Sequence, residues 1–310
     1  DSPEDLPGRR TTPATKTSWE GGDPVNPISE VLQKMATPVQ NRGDYTDGEG
    51  FLCCGACGER KEMDVSVPTD LRPSGVMRVR RNCRCERERL EAEEKARREQ
   101  DFQTRMERLR RDGITDPAYL KYTFGQDDRR NPEVSDVCLK YVQNWDDMKA
   151  DNIGILFYGD VGTGKSFLAC CIANALLGRL VSVSVTNFPR ILNTLQGTFD
   201  DERQKRIDRL QQYSLLVIDD LGVERDTAFS VEQVYNVIDS RYRSGKPLIV
   251  TTNLSLDELQ HPQDTPHARI YDRLLEMCAP ILFTGTNFRR QTAQNKLDKL
   301  KTMIKEKECL

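Results

Sequence analysis

The sequence predicts an α/β fold: a five-stranded parallel sheet flanked by helices, preceded by a small cysteine-bearing module and a charged helical linker. From Gly113 onward, short apolar runs alternate with stretches of helical period, the pattern of a parallel sheet covered on both faces. Gly159 to Ser166 reads G-x-x-x-x-G-K-S, directly after the apolar run Ile155–Tyr158 and directly before Phe167-Leu168-Ala169. A further apolar run, Leu215–Ile218, ends in the paired acids Asp219 and Asp220.

Taken in chain order, residues 1–50 are rich in Pro, Gly, Asp and Thr, and only Pro27–Met35 carries a helical period, through Ile28, Val31, Leu32 and Met35. They read as a flexible arm with one short amphipathic helix, or as a disordered tail. Residues 51–85 hold a compact group of cysteines. Glu86–Asp112 has 18 charged residues in 27, nine of each sign, and no Pro or Gly, so it reads as a solvated helix. At 1.5 Å per residue its length would be about 40 Å. Phe102, Met106 and Leu109 form a short apolar stripe near its end, and the rest serves as a soluble spacer.

Residues 113–310 form the alternating domain. Its strand candidates are Ile155–Tyr158, Val181–Val185, Leu215–Ile218, Leu248–Thr251 and Ile281–Phe283. Helices are expected at Phe167–Leu177, Pro189–Leu195, Arg203–Gln212, Ser230–Ser244, Pro266–Met277 and Arg289–Lys305. No internal repeat is present.

Composition limits the function classes. A net charge of −3 argues against nucleic-acid binding by bulk charge, so any such contact must come from a local patch. No apolar run approaches the roughly 20 residues of a membrane span, and no signal-peptide pattern is present. The chain starts at Asp1 rather than Met, as a trimmed or partial start would. Ten cysteines in such a chain point to metal binding or burial rather than disulfides, and the expected compartment is the cytoplasm.

The glycine-rich segment has the context that gives its pattern meaning, a strand before it and a helix after it. Glycines let successive backbone N–H groups turn inward toward a phosphate, and the helix N-terminus adds positive potential. Gly159, Asp160, Val161, Gly162, Thr163, Gly164, Lys165, Ser166 and Phe167 are therefore the candidate nucleotide-binding residues. Lys165 would reach the β- and γ-phosphates, and Ser166 would offer a hydroxyl to Mg²⁺. Asp219 would hold Mg²⁺, and Asp220 would orient or deprotonate the attacking water. Glu224 is a weaker candidate for that base. Asn253, at the end of the fourth strand, is placed to polarise the water or touch the γ-phosphate. Arg269 and Arg273 share one helix face at i and i+4, and Arg289 and Arg290 open the last helix. An arginine supplied by a neighbouring subunit can accelerate phosphoryl transfer, and ordinary salt bridges on helices are the alternative for any one of them.

Cys54-x2-Cys57 and Cys83-x-Cys85, with 25 residues between the pairs, offer four thiols for a closed tetrahedral Zn²⁺ site. Redox chemistry and unligated cysteines are the alternatives, and Cys53 could take the place of Cys54. Arg78, Arg80, Arg81 and Arg84 crowd the second pair, either to touch single-stranded DNA or as solvated charge. Cys138, Cys170, Cys171 and Cys278 fall on predicted helices and read as core residues, while His261 and His267 sit in a Pro-containing loop without an assigned role.

One further pattern emerges from the order of these motifs. The phosphate loop is followed by Asp219-Asp220-Leu221-Gly222-Val223-Glu224, Thr252-Asn253, Arg269-Ile270-Tyr271-Asp272-Arg273 and Gly285-Thr286-Asn287-Phe288-Arg289. This order resembles the DnaC/DnaI-type replicative helicase loaders of Gram-positive bacteria and their phages. These are AAA+ P-loop ATPases related to the IstB-type transposition ATPases. The resemblance covers about residues 113–310, and the N-terminal cysteines as well.

It implies that Asp219 and Asp220 are the Walker B acids, Asn253 sensor 1, Arg269 or Arg273 the trans-acting finger and Arg289 the sensor 2 arginine. It also implies a zinc module that contacts the helicase. Most AAA+ enzymes have Glu at the second acid position, so the shorter Asp220 points to slow, switch-like hydrolysis stimulated by assembly or DNA. The implied protein binds ATP, Mg²⁺ and Zn²⁺. It would self-assemble through its AAA+ domain and place a hexameric replicative helicase on single-stranded DNA. A transposition helper acting on duplex DNA, or a nucleotide-switched adaptor with negligible hydrolysis, are the alternatives.

Overall fold

The computed structural model describes residues 40–307 apart from 71, 224–226 and 286. The helix expected at Pro27–Met35 and the candidate base Glu224 lie outside the described residues. The chain divides into two compact units between Arg98 and Glu99, inside the charged helix rather than at its end.

In the first unit, β1 (Tyr45–Thr46) pairs antiparallel with β2 (Leu52–Cys53), and β3 (Glu62–Ser66) with β4 (Val76–Arg80). Asp47 shapes the first turn, its carboxylate accepting from the backbone N–H groups of Glu49 and Phe51 at 2.9 and 3.0 Å. Lys61 and Asp44 form a buried ion pair at 2.7 Å, their side chains 1 % and 2 % exposed. The lysine, with the Asn41 and Gly55 amides, holds the Asp44 carboxyl down to about 2. Two such short ribbons are marginal by themselves. Helix α1 (Arg84–Gly113) begins two residues before the predicted charge run and ends on its glycine. Its i,i+4 pairs Arg89–Glu93 and Arg98–Glu94 are the solvated charge pattern that the sequence predicts.

The second unit opens with two short 3₁₀ turns, Tyr119–Lys121 and Phe124–Gln126. Helices α2 (Pro132–Gln143) and α3 (Trp145–Ala150) follow. Strand β5 (Gly154–Gly159) then leads to α4 (Lys165–Gly178), β6 (Val183–Asn187), α5 (Phe188–Leu195) and α6 (Asp200–Gln211). Next come β7 (Leu215–Leu221), α7 (Ala228–Ser244), β8 (Leu248–Thr252) and α8 (Leu256–Gln260). The unit closes with α9 (Thr265–Met277), β9 (Cys278–Phe283) and α10 (Phe288–Lys307).

All five strands pair in parallel, in the order β6-β7-β8-β5-β9. The period of two sends alternate residues to opposite faces. Ile155 and Phe157 of β5, with Leu215 and Val217 of β7, enter one core, and Leu156, Leu216 and Ile218 enter the other. This is the α/β architecture that the sequence predicts, and the glycine-rich loop joins β5, fourth in the sheet order, to α4.

Two expectations need correction. Cys278 lies on β9 and not on a helix: α9 stops at Met277, and the buried thiol donates to the Leu248 carbonyl at 3.4 Å across the sheet. His267 is in the first turn of α9, where Asp264 caps its backbone N–H at 2.8 Å, rather than in a loop. Arg241, at the C-terminal end of α7, is fully buried. Its guanidinium donates to the carbonyls of Tyr213, Ser214 and Pro247, at the starts of β7 and β8.

Candidate functional site

The C-terminal ends of β5, β7 and β8 converge on one edge of the sheet, the position at which open α/β sheets bind ligands. After β5 the loop turns through Gly162 and Gly164, whose φ angles of +82° and +103° suit glycine. A Cβ on Gly162 would also lie 2.3 Å from Asn287 Oδ1. The Phe288 backbone N–H donates to the Gly162 carbonyl at 2.9 Å, tying the start of α10 to the loop. Thr163 Oγ1 closes the turn by donating to the Asp160 carbonyl at 2.8 Å.

Lys165 opens α4 and is 5 % exposed. Its Nζ donates to the carbonyls of Gly159 and Asp160, each at 2.7 Å, and to Asn253 Oδ1 at 2.9 Å. Burial pulls its pKa down, and the charges of Asp220, Asp160 and Asp219 oppose that. Asp219 is 6 % exposed, with Oδ1 accepting from Thr251 Oγ1 at 2.6 Å and Oδ2 from the Tyr119 hydroxyl at 3.0 Å. Asp220 follows in the left-handed region, φ 57°, where the β7–β8 register shifts between Ile218 and Leu221. Its backbone N–H donates to Thr251 Oγ1 at 2.9 Å, and Asn253 Nδ2 lies 3.4 Å from its Oδ1. Burial raises the Asp220 pKa, and the neighbouring Asp219 charge raises it further.

These groups line one cavity of about 370 Å³, within the size range of small-molecule sites. Val161, Ser166, Phe167 and Arg289 line it too, so residues 161–167 of the predicted loop, the paired acids, Asn253 and Arg289 are brought together. Gly159 and Asp160 are not among the lining residues and meet the site through their carbonyls on Lys165. A deep cation beside two carboxylates, next to a glycine-rich loop at the start of a helix, fits a polyphosphate with its divalent cation. Arg269 and Arg273 do not line this cavity. Arg273 pairs with Asp239 at 2.7 Å and stands over the rings of Tyr235 and Tyr242, whereas Arg269 is exposed on α9.

Sequence reasoning missed the front wall of the cavity. Tyr119 and Tyr122 arrive from the 114–126 segment, where Asn174 Nδ2 of α4 donates to both of their carbonyls, at 2.7 and 2.8 Å. No local pattern signals a contact that spans 100 residues. Thr251, a hydroxyl two residues before Asn253 at a strand end, was a readable signal.

In the first unit the sulfurs of Cys54, Cys57, Cys83 and Cys85 all lie within 4.8 Å of one another. Cys53 turns the other way, toward the Phe51 carbonyl and Asp47, so Cys54 is the member of the cluster. The backbone N–H groups of Cys85 and Glu59 lower the Cys57 thiol to about 6. The surrounding sulfurs push Cys85 up to about 12. Four converging thiols fit a tetrahedral soft cation such as Zn²⁺. The nearby arginines are largely spent on acids: Arg78 on Asp64, Arg80 on Glu86, and Arg81 on Glu59.

The family model for the IstB-like ATP binding protein matches residues 86–296. The replicative helicase loader DnaI of Bacillus subtilis is 28 % identical over 147 residues, which cover 44 % of this chain and 47 % of that protein. The replicative helicase loader DnaC of Escherichia coli is 30 % identical over 123 residues, 39 % of this chain and 49 % of its own. An ATP-binding protein of a Mycobacterium tuberculosis insertion sequence is 29 % identical over 140 residues, 44 % of this chain and 55 % of its own. The chain thus spans about half the length of the curated relatives it matches.

Proposed function

The chain belongs to the IstB-like ATP binding protein family, and from that premise we propose that it is an ATP-switched loader for a hexameric replicative DNA helicase. The observation that carries the nucleotide part is the network joining Lys165, Asn253, Asp220 and Asp219 in one cavity. The likeness to DnaI and DnaC supports the loader part.

In this reading residues 51–85 are a zinc-binding module that contacts the helicase, 86–112 a linker, and 113–310 the cytoplasmic ATPase that self-assembles. The loop amides and Lys165 hold the phosphates, while Ser166 and Asp219 hold Mg²⁺, which when bound neutralises phosphate charge. Asp220 takes the proton of the attacking water on a carboxylate oxygen, with Asn253 orienting it. Arg289 contacts the nucleotide within the subunit, and Arg269 or Arg273 reaches the nucleotide of a neighbour. Phe199, 87 % exposed before α6, supports contact with single-stranded DNA, because base stacking on an aromatic side chain is worth about 1–3 kcal/mol.

The test is co-elution of the purified chain with its host's replicative helicase, with and without ATP, using light scattering for stoichiometry. A stable complex that needs residues 1–85 is expected. No complex under any nucleotide condition would overturn the loader reading. It would favour a transposition helper, the reading supported by the insertion-sequence relative, with filament formation on duplex DNA as its own test.

A further inference from the structure

Asp219 stands between two hydroxyl donors, and only one of them comes from the strands that build the site. Thr251, on β8, donates to Oδ1 at 2.6 Å while accepting from the Asp220 backbone N–H at 2.9 Å, which fixes the direction of its own proton. The other donor is Tyr119, 3.0 Å from Oδ2, which lies on the 3₁₀ turn 100 residues earlier in the chain. We infer that Tyr119 is a positioning residue for the Asp219 carboxylate, setting its plane for the divalent cation that accompanies the nucleotide. The inference deepens the nucleotide-binding reading and rests on it.

An aspartate's terminal torsion is broad, so a carboxylate with one fixed oxygen still swings. Donors on both oxygens hold the plane and direct the remaining lone pairs into the cavity. Metal-ligating groups oriented by such outer partners lose about tenfold or more in metal affinity when a partner is removed. Tyr119 is itself well held. Asn174 donates to its carbonyl at 2.7 Å, and its ring centroid lies 6.1 Å from that of Tyr122. Asn174 belongs to α4, the helix that Lys165 opens, so one tyrosine ties the phosphate-binding element to the acid of β7.

The experiment measures binding of a fluorescent ATP analogue by the full chain, titrated with Mg²⁺ and repeated in EDTA. Tyr119→Phe keeps the ring and removes only the hydroxyl. The expected result is a roughly tenfold rise in the Mg²⁺ concentration for half-maximal enhancement, with analogue affinity in EDTA unchanged. In an Asp219→Asn background the same change should have no further effect on Mg²⁺ dependence. Equal weakening with and without Mg²⁺ would make Tyr119 a structural residue and overturn the inference. So would a wild-type Mg²⁺ profile in the variant, or an undiminished effect in the Asp219→Asn background. If the wild-type chain showed no binding of the analogue at all, the nucleotide reading itself would fall.

Discussion

Removing metal from the full chain should unfold the cysteine module and leave the nucleotide unit standing. A Zn–S bond of about 2.3 Å gives a tetrahedron whose sulfur–sulfur edge is about 3.8 Å. The structure places Cys54–Cys85 and Cys83–Cys85 at 3.4 Å and Cys57–Cys85 at 3.7 Å, close to that edge. Without a cation the crowding is unfavourable, because neighbouring sulfurs oppose a charge on Cys85 while backbone amides favour one on Cys57.

Among the described residues, the buried aliphatics of the module are Leu52 and Val79. Each contributes about 1.5–3 kcal/mol, whereas structural zinc contributes about 10–16 kcal/mol. The metal therefore outweighs the apolar burial of the described residues in holding the module folded. The assay is metal content of protein purified without chelator, followed by hydrogen exchange and calorimetry before and after chelation. One zinc per chain is expected. Protection at residues 51–85 should be lost on chelation, with the nucleotide unit's transition unmoved. Cys85→Ser should weaken zinc binding by at least about tenfold. Metal-free protein with residues 51–85 still protected would refute the reasoning.

Other outcomes follow from the nucleotide site. Lys165→Ala should abolish nucleotide binding. Asp220→Asn should keep binding and lower turnover by about 10²–10⁴-fold, measured by phosphate release. An adaptor with negligible hydrolysis would be impaired only by the first change. Asp220→Asn should also raise the melting temperature of the nucleotide-free protein at neutral pH. Its carboxyl pKa is raised in the fold, so destabilisation sets in as pH rises above the unfolded value of 3.8 and is complete once pH exceeds the raised value. The gain should vanish below pH 3.8, where the carboxyl is protonated in both states; a gain that persists there would contradict the charge argument. Arg273→Ala should cost about 1–2 kcal/mol in thermal unfolding, by leaving Asp239 without its α9 partner, whereas Arg269→Ala should stay within about 0.5 kcal/mol. Whichever loss lowers turnover in mixtures with Lys165→Ala subunits identifies the finger.

The strands of the nucleotide unit were legible because each is an apolar run bounded by turn residues, and the glycine loop lies where such runs place a phosphate. The four thiols were legible from spacing alone, and the choice of Cys54 over Cys53 needed the direction in which each side chain turns. Tyr119 was not legible, since its partner Asp219 is remote and its surroundings, Pro117-Ala118-Tyr119-Leu120, have no period. Arg241 also ran against the pattern. An arginine near a helix end reads as solvated, and only the open carbonyls beginning two adjacent strands explain its burial.

That buried guanidinium has a consequence at the opposite edge of the sheet. By gripping the residues just before β7 and β8, Arg241 sets where both strands start, and hence where their far ends stop. Those ends carry the paired acids and the asparagine. The reactive side can therefore accept changes in its side chains, as in the exchange of a longer acid for Asp220, without the strands sliding past each other. Under the proposed ATPase reading, variation in hydrolysis speed becomes a local matter of one side chain's reach, because alignment is secured elsewhere.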